Sequence, residues 1–404
     1  MIDRALYSIA FSEEWGRQMR FITGPRQSGK TTLAKIKLEQ EKNENLYYLW
    51  DLRSIRNRYK ENELFFTGDM PPSSRKLWVC FDEIHKMPKW KNMVKGIYDA
   101  SFEKYHFIIT GSAKLDISRR AGDSLSGRYF TFRLFPLCLS ELVNKNSLRS
   151  TVAQTADEFI KRKMDSAVKA ENALSLLLEY SGFPEPFVRQ SKKFHAKWAQ
   201  DYLDTVIKED IGALTRIIDK EYLYDLYKLL PEMVGNPISV SSLASHLELS
   251  SPTIKNYLKR LEDFYLSFRI YPYSKNIKRS LLKAPKCYLY DWTRVKDPGK
   301  RFENYVAVEL NTLSSLWMDS TGEEYSLFYI RNKQKQETDF LVTQNEKPWL
   351  LVEVKYSDCP ISKHHLETQE ALKHIPLVQL CQENNVCMLQ KKNAYRISAS
   401  RFLP

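Results

Sequence analysis

The stretch Gly24-Pro25-Arg26-Gln27-Ser28-Gly29-Lys30-Thr31 reads G-x-x-x-x-G-K-T, a spacing that gathers phosphate-binding groups. The two glycines let the backbone wrap an anion, so that successive N–H groups point inward. Pro25, Arg26, Gln27 and Ser28 form the body of that loop. Lys30 is placed to reach the β- and γ-phosphates of a nucleotide such as ATP, and the Thr31 hydroxyl to ligate Mg²⁺. Thr32 completes the nucleotide-binding stretch. Further on, Leu77-Trp78-Val79-Cys80-Phe81-Asp82-Glu83 is an apolar run ending in two acids. Asp82 is expected to hold Mg²⁺ through water, and Glu83 to orient and polarise an attacking water. Ser112, just past Thr110-Gly111, is expected between these halves, on the γ-phosphate or the water. SRRAGDSLSGRYF (118–130) carries Arg119, Arg120 and Arg128. Arg128 is the favoured one to stabilise charge on a transferred phosphoryl group, from the same chain or a neighbouring subunit.

A second constellation lies near the C-terminus. In LLVEVKYS (350–357), Glu353 and Lys355 are two apart on a strand and share a face, with Val352 and Val354 on the other. Asp339 opens a neighbouring apolar run, TDFLV. Asp followed fourteen residues later by Glu-x-Lys resembles the PD-(D/E)XK nuclease signature. That resemblance implies Asp339 and Glu353 as metal ligands and Lys355 as the group that orients water or stabilises the phosphorus. RFENYVAVEL supplies Glu303 and Glu309, of which Glu303 is the expected further metal ligand. Gln369 reads as a surface glutamine and His364–His365 as a helix-surface pair.

A third set could grip a polyanion. SVSSLASHLELSSPTIKNYLKRLEDFYL fits two short amphipathic helices, the second capped by Ser250 or Ser251 with Pro252 in its first turn. Thr253, Lys255, Asn256, Lys259 and Arg260 lie on that second helix, where a helix-turn-helix meets DNA. After Tyr271 and Tyr273, segment 275–286 carries Lys275, Lys278, Arg279, Lys283 and Lys286 without an acid, a plausible phosphate clamp. A winged helix that only packs on the rest of the chain is the competing reading.

The elements that must hold these groups follow from pattern. RFIT (20–23), LYYLWDL (46–52), KLWVCFDE (76–83) and YHFIITGS (105–112) read as strands, with a helix over 30–42. That alternation predicts a parallel sheet covered by helices. From about 150 to 235 the pattern is helical. From about 285 strands and helices mix again, with helices at 302–315 and 363–374. The expected division is 1–147, 148–284 and 285–404.

A net charge of +13 favours a polyanionic partner, nucleic acid first. Cys80, Cys138, Cys287, Cys359, Cys381 and Cys387 form no C-x-x-C pair, which fits a reduced, cytoplasmic setting. The N-terminus shows no cleavage signature. No run approaches the ~18 apolar residues of a membrane span. There is no HExxH or HxxxH spacing and no serine-hydrolase elbow.

Nine segments in order carry a resemblance over nearly the whole length. They are FITGPRQSGKTTL (21–33), VCFDEIHKMPKW (79–90), IITGSAKLDI (108–117), SLSGRYFTFRLFPLCLSEL (124–142), YSGFPEPF (180–187), YLDTVIKEDI (202–211), PKCYLYDW (285–292), ETDFLV (337–342) and LLVEVKYS (350–357). The chain resembles prokaryotic AAA-family P-loop ATPases with a C-terminal domain of unknown function 4143. Tyr180-Ser181-Gly182 replaces a frequent double glycine, and Lys208-Glu209-Asp210 a more usual arginine-aspartate pair. The resemblance implies an α/β chain: a P-loop NTPase parallel sheet, a helical and winged-helix middle, and a restriction-endonuclease-like C-terminal domain. It implies an ATPase; with the residues above, the expected ligands are ATP and Mg²⁺ and the candidate partner is DNA, with no membrane and a possible homo-oligomer. Two functions stay open: an ATP hydrolase acting on DNA, and a nucleotide-dependent switch whose C-terminal fold binds without cleaving.

Overall fold

The structure is a computed structural model that describes residues 2–73, 75–84, 87, 89–111, 125–143, 155–166, 168–212, 220–274, 283–332 and 334–404. Its contacts divide the chain into two compact units, Arg4–Phe135 with Asp263–Tyr265, and Pro136–Glu262 with Leu266–Pro404.

In the first unit, five short runs rich in aromatic and β-branched residues form the strands. They are β1 (Met19–Thr23), β2 (Tyr47–Leu49), β3 (Leu77–Asp82), β4 (Tyr105–Thr110) and β5 (Tyr129–Arg133). The sheet order is β2-β3-β4-β1-β5 and every pairing is parallel. β1 and β3 are buried from end to end, as continuous apolar runs in a parallel sheet should be. Phe21, Val79, Phe81, Phe107 and Ile109 share one core with Met93, Val94 and Ile97 of the helix Trp90–Ser101. Truncating Phe81 to alanine there would cost roughly 3–5 kcal/mol. Because the strands run in parallel, Thr23, Asp82 and Thr110 all leave the sheet at the same edge. The sequence reading anticipated four of these strands. β5, in the run YFTFR, was not among them.

The second unit opens with helices. Ala156–Asp165, Glu171–Tyr180, Pro184–Arg189 and Lys192–Asp204 precede a π-helical turn, Thr205–Ile211. Val240–His246 and Ser251–Asp263 are the expected short pair. Ser250 Oγ accepts the Thr253 N–H at 3.2 Å, so Ser250 is the cap.

An eight-stranded mixed sheet follows, built from β6 (Ser267–Pro272), β7 (Lys286–Leu289), β8 (Tyr325–Arg331), β9 (Glu337–Gln344), β10 (Lys347–Lys355), β11 (Leu377–Cys381), β12 (Cys387–Lys391) and β13 (Ala394–Ser398). Its order is β12-β13-β11-β10-β9-β8-β6-β7. β6 and β7 flank the basic segment and pair antiparallel, and β6 joins β8 in this same sheet. The helix Pro298–Thr321 is defined at both ends: Asp297 accepts the Lys300 N–H, Pro298 occupies the first turn, and Gly322 closes it at φ 73. Among the described residues no helix is long and apolar enough to cross a membrane. All six cysteines are free thiols.

Candidate functional site

β1 runs directly into the glycine-bearing loop, and the loop into the helix Lys30–Gln40. Gly24 has φ +141, and a Cβ added there would lie 2.2 Å from the Leu134 carbonyl oxygen. Gly29 is left-handed at φ 99 and starts the helix, a conformation that only glycine adopts without strain. The Ser28 hydroxyl is buried with no hydrogen-bond partner. Arg4 braces this loop from below. Its Nη1 donates to Ser28 O at 2.7 Å and its Nη2 to Phe135 O at 2.6 Å. The buried Lys30 ammonium folds back over the loop, donating to Pro25 O at 2.6 Å and Gly24 O at 3.2 Å. Arg26 and Gln27 form the outer turn, Gln27 at φ 60, and Thr32 is exposed in the first helical turn.

Asp82 is the hub of the acidic half. It ends β3, is 1% exposed, and accepts three hydroxyls. Thr31 Oγ1 donates to its Oδ2 at 2.8 Å. Tyr47 Oη bonds the same oxygen, and Thr110 Oγ1 bonds Oδ1. Burial, and then the Asp82 bond, push the Tyr47 phenol well above its ordinary range, so it stays a donor. Thr110 has this role because β4 lies between β1 and β3. Thr110 also accepts the Glu83 N–H at 3.3 Å, and Glu83 turns out of the strand at φ 57. The sequence reading gives Thr110 and Tyr47 no role in the site. A hydroxyl at a strand end carries no signature until the strand order is known.

These features fit a triphosphate bound with a divalent cation. A loop without room for a Cβ, a buried serine hydroxyl with no partner, and a threonine hydroxyl against a carboxylate are what such a ligand requires. Ser112, Arg119 and Arg120 lie outside the described residues. Arg128 is not beside the loop of its own unit. It precedes β5, whose first residue pairs with the first residue of β1, so it sits at the opposite sheet edge. That is five residues of strand away, roughly 16 Å. Its guanidinium grips Asp99 with two bonds, of 2.7 and 3.0 Å. An arginine finger within the same chain is therefore corrected for Arg128.

In the second unit, β9 and β10 bring Asp339 and Glu353 together. The Asp339 N–H donates to Glu353 Oε2 at 3.2 Å, and the Val354 N–H to Asp339 Oδ2 at 3.0 Å. Lys355 Nζ lies 2.6 Å from Glu353 Oε1. His365 joins them: its Nε2 is 3.3 Å from Glu353 Oε1, and its Nδ1 is 2.9 Å from Thr338 Oγ1. His365 is buried, so the helix-surface expectation for it is corrected. Gln369 is buried as well and ties down the carbonyls of Ile375, Lys392 and Asn393, away from the cluster. Glu309 faces elsewhere, accepting the Leu139 N–H and the Tyr305 hydroxyl.

Lys286 changes the character of this cluster. Its ammonium is 3.1 Å from Glu337 Oε2, 3.5 Å from Asp339 Oδ1 and 3.6 Å from Glu303 Oε1, with the side chain 2% exposed. Burial, then the Glu303 and Glu353 carboxylates, raise the pKa of Asp339 well above the usual carboxylate range. Glu353 is held low despite its burial, because His365 and Lys355 favour its charged form. Among the described residues no group of three His, Cys, Asp or Glu side chains is arranged to hold a metal ion. The expected ligand set Glu303, Asp339 and Glu353 thus does not fit a divalent ion in this arrangement.

Three family matches divide the chain. Residues 16–143 match an AAA domain, residues 171–293 a domain of unknown function (DUF8612), and residues 298–402 another (DUF4143). An uncharacterized protein of Methanocaldococcus jannaschii is 25% identical over 376 residues, covering 89% of this chain and 80% of that protein. An uncharacterized protein of Mycobacterium tuberculosis is 23% identical over 361 residues, covering 84% of this chain and 70% of that protein. Among solved structures, Aeropyrum pernix ORC1 in complex with DNA aligns at TM-score 0.30 and 13% identity, over 74% of this chain and 86% of that one. AMPPCP-bound DnaA of Aquifex aeolicus aligns at TM-score 0.28 and 13% identity, over 64% and 85%. The chain therefore carries a match to the AAA domain over the residues that form the five-stranded parallel sheet and its phosphate-type loop.

Proposed function

We propose that this chain binds and hydrolyses ATP with Mg²⁺ as an AAA-type ATPase. One observation carries the reading: the Thr31 hydroxyl and the Asp82 carboxylate meet at 2.8 Å beside a loop shaped by Gly24 and Gly29. The loop amides and Lys30 hold the phosphate chain, and the helix Lys30–Gln40 presents its positive end to the same charge. Thr31 and Asp82 hold Mg²⁺, which neutralises charge on the phosphoryl oxygens when bound. Glu83 orients the attacking water, and Thr110 fixes the carboxylate of Asp82. Arg128 acts, in this reading, only on the nucleotide of a neighbouring subunit of a homo-oligomer. The test is Mg²⁺-dependent phosphate release from ATP by the full chain. Lys30→Ala should abolish it, and unchanged hydrolysis in that variant would defeat the site assignment.

DNA is the proposed partner. The net charge of +13 supports it, as do Lys255, Asn256 and Lys259, which are exposed along the helix Ser251–Asp263. Lys275, Lys278 and Arg279 lie outside the described residues, between the paired strands β6 and β7. ATP, Mg²⁺ and six free thiols suit a cytoplasmic protein. The position of Lys286 favours the second reading of the C-terminal sheet, a nuclease-like fold that binds without cleaving.

A further inference from the structure

The C-terminal cluster holds four carboxylates, Glu303, Glu337, Asp339 and Glu353, and a charge count shows how they coexist. Lys286 faces three of them, and Lys355 faces Glu353. Arg331 Nε lies 3.3 Å from Glu337 Oε1. Each oxygen of the Asp339–Glu353 pair already faces a donor. Asp339 Oδ1 faces Lys286, and Asp339 Oδ2 accepts the Val354 N–H. Glu353 Oε1 faces Lys355 and His365, and Glu353 Oε2 accepts the Asp339 N–H. Glu303 is closed in from two sides. Tyr288 Oη donates to its Oε1 at 2.7 Å. A Cβ added to Gly235 would lie 2.7 Å from its Oε2.

Lysine Nζ is a compact charge with three donors. Magnesium would need oxygens at roughly 2.0–2.1 Å in an octahedron and would keep several waters. Here the Asp339 and Glu353 oxygens already face protein donors, and the cation the carboxylates require is already supplied by Lys286 of β7.

We propose that the Lys286 ammonium stands in for a divalent metal, so that the C-terminal sheet works as a metal-free module and not as a Mg²⁺-dependent nuclease. This inference is independent of ATP binding. It extends the non-cleaving reading by naming the residue that closes the metal site. Removing Lys286 should expose the carboxylates to a metal.

The experiment titrates Mn²⁺ into nucleotide-free full-length chain carrying Thr31→Ala and Asp82→Asn, which removes the other candidate metal site. Electron paramagnetic resonance counts bound ions and thermal unfolding follows stability. The Lys286-intact protein is expected to take up no Mn²⁺ that Asp339→Asn removes, and its melting temperature should ignore Mn²⁺. Lys286→Gln is expected to melt lower, to recover with Mn²⁺, and to bind one equivalent that Asp339→Asn abolishes. Stoichiometric, Asp339-dependent Mn²⁺ binding with Lys286 present overturns the proposal. So does a folded Lys286→Gln variant that gains no site. If Lys286→Gln does not fold, the titration with Lys286 intact decides alone.

Discussion

Thr31 Oγ1 donates to Asp82 Oδ2 at 2.8 Å, joining the end of the glycine-bearing loop to the end of β3 across 51 residues of sequence. One hydroxyl and one carboxylate on separate elements make a pair that a hydrated cation can share.

That pairing predicts the response of Thr31. Thr31→Ala removes the hydroxyl and should raise the Mg²⁺ needed for half-maximal ATP hydrolysis about tenfold or more, the worth of a hydrogen bond to a charged group. Thr31→Ser keeps the hydroxyl and should restore most of it. A Mg²⁺ titration of turnover reads both.

Glu83 leaves β3 in a left-handed conformation, its N–H donated to Thr110 Oγ1 at 3.3 Å. As the residue proposed to orient the attacking water, Glu83 predicts that Glu83→Gln leaves ATP affinity near wild type and cuts turnover by on the order of 10²–10⁴, the range for losing general-base help. Fluorescent-nucleotide binding and phosphate release, measured together, separate the two effects.

Gly24→Ala is expected to disable the loop through its backbone. The added carbon would meet the Leu134 carbonyl at 2.2 Å, and φ +141 is unfavourable for any L-residue. Strain of about 1–3 kcal/mol should appear in denaturant unfolding of this unit. Nucleotide affinity should fall with it, and retained affinity at wild-type stability would contradict the close approach.

Glu309 sets a pH dependence of stability. Burial is the largest influence on it and outweighs the bonds from Tyr305 and Leu139, lifting its folded value from 4.5 to about 8. Between those values the folded state keeps a proton that the unfolded state has lost, so stability must fall as pH rises. The contribution is complete below 4.5 and gone above about 8. Glu309→Gln cannot titrate and should flatten this decline. Urea midpoints from about pH 5 to 8 check it, and a slope that survives the substitution would assign the effect to another group.

Lys255 and Lys259 sit exposed on the second helix of the short pair. If both meet phosphates, Lys255→Ala with Lys259→Ala should lower the slope of log K for DNA against log salt by about 1.8, at 0.9 per contact. An unchanged slope would place the DNA contact elsewhere.

The sequence alone determined what is local. A glycine, lysine and threonine at fixed spacing need one particular backbone path, and that path is legible because it follows from dihedral freedom and hydrogen-bond donors. Long apolar runs such as LWVCFD and LLVEV announced their strands for the same local reason. β5, β6 and β11 to β13 escaped that reading because they are short, and β11 to β13 are separated by turns with Asn385 and Asn393 at positive φ. Tertiary structure alone decided which groups meet. Thr110 reaches Asp82 only because β4 inserts between β1 and β3. Arg128 is kept from its own loop because β5 runs parallel to β1. Lys286, read in sequence as one cation of a basic segment, is carried by β7 into a buried nest of carboxylates. Charge compensation depends on distance through space, which spacing along a chain does not encode once the elements between two residues can pair in more than one order.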